Sequence, residues 1–220
     1  MTYLQNFGLI GKRNVQNLMR MKVLVIYYSQ TGQLKEIIDN LTEPFQSENI
    51  SVEKVAIEPE IDYPFPWTSQ SFYDVMPDCV LEIPVNLKPL VFKEEKYDLI
   101  ILGWQPWFLS PSIPVNSLLQ HSSFRSLLKN TPVVTIAGAR NMWMNAFVRI
   151  KKKLLECEAS IVGNIALIDK NINPLSYITI FHWLLGGKKT RLMGIFPLPG
   201  ISESDIINTR VFGETIYLIY

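Results

Sequence analysis

The chain is poor in the residues from which most metal and nucleophile sites are made. In 220 residues it has two cysteines, Cys79 and Cys157, and two histidines, His121 and His182. Two cysteines without a spacing motif give neither a disulfide framework nor a thiolate cluster, so they read as small apolar residues of a protein kept in a reducing, cytoplasmic setting. No metal-ligand spacing is present. The usual phosphate signatures are missing too, since neither GxxxxGK[ST] nor GxGxxG occurs. That excludes a nucleoside triphosphate or a dinucleotide pyrophosphate held in the familiar ways. The net charge is only +1, which leaves no basic surface of the extent that nucleic acid requires. The apolar stretch at 172–185 is well short of the roughly 20 residues that span a bilayer.

What is present begins at Met21. The run Val23-Leu24-Val25-Ile26-Tyr27-Tyr28 reads as a strand buried on both faces of a parallel sheet. Leu34, Ile37, Ile38 and Leu41 then fall on one helical face. Between strand and helix lies Ser29-Gln30-Thr31-Gly32-Gln33, a tight turn of hydroxyls, amides and a glycine. Exposed N–H groups and the positive end of a helix dipole make such a turn a seat for phosphate. Without a lysine, the turn suits one phosphomonoester, such as that of flavin mononucleotide. The alternative is an ordinary capped helix start, because Ser and Thr are common N-caps.

Residues 1–20 hold three basic residues and no acid, with no apolar core or cleavage site of a secretory signal. They are expected to be a disordered leader or a mis-started segment ahead of Met21. Further strands are expected at 51–57, 97–102, 132–137 and 161–168. Helices are expected over 115–128, with a break near Ser122-Ser123, and around Phe147, Ile150 and Leu154. Alternation of this kind predicts an α/β fold, a five-stranded parallel sheet covered on both faces, in one domain. Ligands of such sheets bind beyond the C-terminal strand ends, where the strand order reverses. Three loops are expected to meet there: the Ser29–Gln33 turn, 103–111 with Pro106, Trp107 and Phe108, and 138–143 with Ala139, Arg140 and Asn141. They offer a phosphate seat, flat apolar surfaces, and backbone amides with a guanidinium. Trp107 and Phe108 are alternatively packing residues, and Asn141 is alternatively a helix N-cap with Arg140 solvated.

These motifs resemble those of the flavodoxin-like superfamily, whose phosphate loop runs (S/T)-x-T-G-x-T. Here it is Ser29-Gln30-Thr31-Gly32-Gln33-Leu34, so the last hydroxyl is lost. Gly103, Pro106, Trp107 and Pro114 resemble the second flavin loop of the quinone reductase branch. Tyr63-Pro64-Phe65-Pro66-Trp67, the stretch from Gln105 to Pro111 and Gly138-Ala139-Arg140-Asn141-Met142-Trp143 are similar to segments of bacterial dialkylresorcinol condensing enzymes, over about residues 21–214. The resemblance implies a three-layer flavodoxin-like domain at 21–187 that binds FMN, with NAD(P)H as a candidate electron donor. A C-terminal extension at 188–220 follows, and members of that family continue beyond it. Condensation of thioesters needs an activated cysteine with histidine partners, which this sequence does not provide. Flavin chemistry on a lipophilic cyclic diketone or quinone, for example aromatisation of a dialkylcyclohexanedione, fits better. A flavodoxin-type electron carrier and a degenerate partner protein stand as alternatives. Carriers of that type are strongly acidic, and this chain is near neutral.

Two segments have no settled role. Residues 59–89, rich in Pro and aromatics, are too long for a routine connection and read as an active-site lid or a packed surface insertion. Residues 172–185, closing on Gly186-Gly187-Lys188-Lys189, read as the last core helix of the sheet. The alternatives are a helix lying on a membrane surface and an entry site for alkyl chains. Peripheral membrane contact, a lipophilic small-molecule substrate and a homo-oligomer are therefore the expected partners. No residue stands out as general acid or base.

Overall fold

The computed structural model describes residues 20–47 and 50–219. The leader expected at 1–20 falls outside them except for Arg20. In chain order the strands are β1 (Met21–Tyr27), β2 (Ile50–Ala56), β3 (Leu99–Trp104), β4 (Pro106–Trp107), β5 (Ser110–Pro111), β6 (Pro132–Ala139) and β7 (Ser160–Ile168). The α-helices are α1 (Gln33–Thr42), α2 (Ser69–Asp74), α3 (Met76–Val80), α4 (Ile113–Leu118), α5 (Ser122–Leu128), α6 (Met144–Glu156), α7 (Asn173–Gly186), α8 (Glu203–Ile207) and α9 (Arg210–Ile219).

Five strands form one parallel sheet in the order β2-β1-β3-β6-β7. This is the doubly wound, flavodoxin-like order, and its switch point lies between β1 and β3. The inner strands are predominantly apolar because both of their faces are covered. Along β3, Leu99 and Ile101 enter one core layer while Ile100, Leu102 and Trp104 enter the other. Strand alternation thus divides one continuous apolar run between two layers. The expected break in the 115–128 helix separates α4 from α5, and these two with α6 cover one face.

The opposite face carries the correction. Residues 172–185 do form a helix, α7, but none of its side chains belongs to either core cluster. The second layer is completed by Ile201, Ile206 of α8 and Ile216 of α9, packed with α1. A Cβ built on Gly213 of α9 would lie 2.0 Å from the Leu41 carbonyl oxygen, so α9 rests directly on the α1 backbone. Ile201, Ile206 and Ile216, within the stretch expected as an extension, thus lie in the main core. α7 is left over the C-terminal ends of the strands.

Candidate functional site

The Ser29–Leu34 turn sits at the carboxyl end of β1. Gly32 is the N-cap of α1 in the left-handed region (φ 86°), and no side chain caps the helix from that position. The N–H groups of the first turn can be accounted for in sequence. Lys35 donates to Ser29 Oγ at 3.1 Å, Gln33 donates weakly to Thr31 Oγ1 at 3.4 Å, and Glu36 donates to the Gly32 carbonyl at 3.1 Å. Among the described residues the Leu34 N–H has no partner. Backbone donors at a helix start need an acceptor, and an anion is the acceptor that the dipole favours.

This turn opens onto a cavity of about 410 Å³ bounded by Thr31, Trp107, Phe108, Arg140, Tyr177 and Phe181, among others. That volume lies in the range of small-molecule sites. Of the sequence-predicted residues, Gln30, Thr31, Gln33, Pro106, Trp107, Phe108, Ala139 and Arg140 line it. Ser29, Gly32 and Asn141 do not. Ser29 is committed to the Lys35 N–H, Gly32 shapes the turn, and Asn141 Nδ2 donates to Asn173 Oδ1 at 3.2 Å. Two amides are also engaged. Gln30 Nε2 donates to the Pro64 carbonyl at 3.0 Å. Gln33 clasps Ile201, donating Nε2 to its carbonyl at 3.2 Å and accepting its N–H on Oε1 at 3.3 Å. The N-cap reading of Asn141 fails, because α6 begins after Trp143.

The aromatic wall comes mainly from segments the sequence left unassigned. β4 and β5 form a hairpin whose two loop residues, Phe108 (φ 45°) and Leu109 (φ 61°), are both left-handed. That turn normally takes Asn-Gly, and two bulky residues there hold strain of the kind concentrated at functional sites. The turn directs Phe108 onto Phe72 of α2, with ring centroids 4.9 Å apart, and Phe72 meets Phe181 of α7 at 5.0 Å. Trp67 is buried and ties the insertion to α7, its N–H donating to the Leu184 carbonyl at 2.8 Å. The 59–89 insertion therefore docks as one wall, with α7 as the other. In α7, Tyr177, Ile180, Phe181, Trp183 and Leu184 line the cavity, and the buried residues are Ser176, Thr179 and Trp183. An apolar run with no single polar face was the available signal; it marks a helix contacted on several sides.

Arg140 is the only charged side chain among the described residues lining the cavity. Its Nε donates to Ser176 Oγ at 3.2 Å and its NH2 to the Asn173 carbonyl at 3.1 Å, and the guanidinium lies 5.3 Å from the Tyr177 ring centre. Ser176 in turn donates to the buried Asp169 carboxylate at 2.7 Å, which also accepts the Asn171 N–H and Nδ2. The cavity thus presents one fixed cation within apolar walls, backed by a buried anion two hydrogen bonds away.

Burial holds two groups beside the hairpin in their neutral forms. Burial pushes Cys79 up to about 12, and its thiol donates to the Trp107 and Pro111 carbonyls. Burial, reinforced by Asp78 and Cys79, lifts Tyr63 to about 12. Tyr177 is raised by desolvation and by its hydrogen bond with Tyr73. His182 pairs with Thr190 Oγ1 at 3.2 Å. Neither cysteine has a histidine partner among its hydrogen bonds, and Cys79 is held as a thiol, so nothing here is an activated nucleophile.

No family model and no curated protein matches the chain. Solved structures do. A flavoprotein in complex with FMN from Lactobacillus acidophilus NCFM is similar at 17% identity and a TM-score of 0.53, over 66% of this chain and 93% of that one. Oxidised Flavodoxin 1 from Bacillus cereus is similar at 14% identity and a TM-score of 0.51, over 90% of this chain and 99% of that one. At these identities the likeness establishes a flavodoxin-like α/β fold.

Proposed function

We propose that the cavity holds FMN and that the protein is an FMN-dependent oxidoreductase acting on a lipophilic cyclic diketone or quinone. The observation that carries this reading is the start of α1. It is a helix N-terminus whose glycine cap supplies no side chain and whose Leu34 N–H is unpartnered among the described residues, at the carboxyl end of β1, opening into an aromatic cavity. The cradle suits a phosphomonoester and lacks the lysine of a triphosphate site. When bound, FMN supplies a two-electron acceptor and donor. The chain's own residues bind and orient. The first turn of α1 and Thr31 hold the phosphate, Trp107 and Phe108 flank the ring, and Arg140 places positive charge beside it.

The aromatic walls from α2, α7 and the β4–β5 hairpin favour a flat, apolar substrate over a bare electron-transfer surface, which sets this reading above a carrier. The resemblance to dialkylresorcinol condensing enzymes narrows the reaction to aromatisation of a dialkylcyclohexanedione. That reaction removes two hydrogens from the substrate ring; bound FMN would supply the two-electron acceptor, with the proton released to solvent and the flavin reoxidised by an external electron acceptor. With a quinone substrate the flow reverses, and NAD(P)H is the electron donor.

The deciding measurement is the absorbance spectrum of the purified protein during FMN titration, repeated on Thr31→Val. The wild type is expected to show perturbed flavin bands and a saturable titration, with about tenfold weaker binding in the variant. A flat titration overturns the reading. Turnover of a cyclohexanedione, or of a quinone with NAD(P)H, separates the enzyme from a carrier.

A further inference from the structure

We propose that the outer stripe of α7, together with the strap at 188–198, is a docking surface for an anionic lipid bilayer. This surface does not depend on what fills the cavity. From Lys170 to Ser202 there are four cations and no acid; Lys170 is paired with Asp205 at 2.7 Å, which leaves Lys188, Lys189 and Arg191 as the cations of the strap. Since residues 1–20 carry three positive charges and the chain totals +1, the rest of 21–220 is left at −6. Such asymmetry within one chain points to a charged partner. No helix among the described residues is long and apolar enough to cross a membrane, so the contact is interfacial.

Hydrogen bonds place the strap along the helix. At one end Asn171 Nδ2 donates to the Leu198 carbonyl at 3.5 Å; at the other, His182 meets Thr190 at 3.2 Å. The strap therefore runs antiparallel beside α7. Three stripes of α7 can be told apart by the helical repeat. Ser176 and Thr179 face inward, Trp183 lies at the edge of that stripe and of the cavity, and Tyr177, Phe181 and Leu184 face the cavity. Ile178 and His182 occupy the third, which turns toward the strap. On this side the large apolar residues are bare: Met193 is 78% exposed, Ile195 77% and Ile172 71%. Lys188 and Arg191 are exposed among them. Lys189 is spent inside, donating to the Ile201 carbonyl at 2.8 Å and lying over Trp183.

Bare aliphatic side chains interleaved with basic ones are the composition of surfaces that sit in the headgroup layer of acidic membranes. A nucleic-acid surface would offer aromatic or polar groups between its cations. Another exposed apolar face, on α8 and α9 around Ile207, Val211 and Leu218, carries Glu203, Asp205 and Glu214, which anionic lipid repels. Because the helix that docks also lines the cavity, a lipophilic ligand has a short way from bilayer to site.

The test is co-sedimentation of the full chain, with and without FMN, on vesicles of phosphatidylcholine alone or with 30% phosphatidylglycerol. Binding is expected only to the acidic vesicles, with loss at high salt. Met193→Glu with Ile195→Glu should lower the partition coefficient at least tenfold, and Lys188→Gln with Arg191→Gln about as much. Circular dichroism checks that each variant folds. In a second variant, Ile195→Trp, emission should shift to the blue and be quenched by brominated lipid. Equal binding to both vesicle types, unchanged binding of the variants, retention by RNA with no vesicle binding, or an Ile195-dependent dimer with no vesicle binding would each overturn the proposal.

Discussion

Ser176 lies between a buried carboxylate and the cation of the cavity, and its hydroxyl serves both: it donates to Asp169 and accepts from Arg140. Replacing it by Ala leaves each with one partner fewer in a low-dielectric setting, where a lost hydrogen bond to a charged group costs about 1.5–3 kcal/mol. Ser176→Ala is expected to lower the urea midpoint accordingly, and to weaken FMN binding as Arg140 loses its anchor. A variant that binds FMN as the wild type does would show Arg140 to be held by other contacts. Gly200 gives a second residue-level expectation. Its φ is 75°, and a Cβ there would meet the Trp183 ring at 2.9 Å and Gln33 Oε1 at 3.0 Å. Gly200→Ala combines left-handed strain of about 1–2 kcal/mol with displacement of the Gln33–Ile201 clasp, so stability and FMN affinity should fall together in thermal and titration assays.

At the scale of elements, the insertion is pinned to α6 by charge. Glu82, just after α3, pairs with Arg149 at 3.0 Å and Lys153 at 2.9 Å. Partial burial pushes its carboxyl up, but the two cations outweigh this and hold it below the usual glutamate value. A carboxyl depressed in the folded state stabilises fully above its unfolded pKa, near 4.5, and the contribution is lost as pH falls through the folded value. The thermal midpoint of the wild type should therefore drop more steeply below pH 4.5 than that of Glu82→Gln, and equal slopes would deny the pair a role. α9 depends on shape instead. Gly213→Ala forces the helix off the Leu41 carbonyl, at a cost of about 3 kcal/mol in denaturant unfolding. These elements also show what the sequence could tell. Most strands were legible because apolar runs such as Val23–Tyr28, 97–102 ending at Gly103 and 132–137 between Pro132 and Gly138 fit a buried parallel sheet, 51–57 because it alternates, and the α1 turn because hydroxyls and glycine follow a strand directly. α7 misled because a helix apolar on all sides looks like a core helix, whether sheet, strap or cavity covers it. Partners at long sequence separation, such as Gln33 with Ile201 or Trp67 with Leu184, leave no local pattern at all.

For the whole molecule, the cavity is built from almost every part of the chain: the first loop, the insertion, the hairpin, the β6 loop, α7 and Gly200. A ligand that fills it must couple to global unfolding, since its contacts exist only when segments far apart in sequence have all docked. Linkage gives the size of the effect: a ligand at one hundred times its dissociation constant stabilises by about 2.7 kcal/mol. In a domain of this length each kcal/mol moves the melting midpoint by roughly 2–4 °C, so saturating FMN should raise it by about 5–10 °C. Riboflavin, which lacks the phosphate, should give a clearly smaller shift, and Thr31→Val should bring the two ligands closer together. If riboflavin raised the midpoint as far as FMN, the ring alone would account for binding, and the anion role of the α1 terminus would have to be abandoned while the aromatic cavity kept its own.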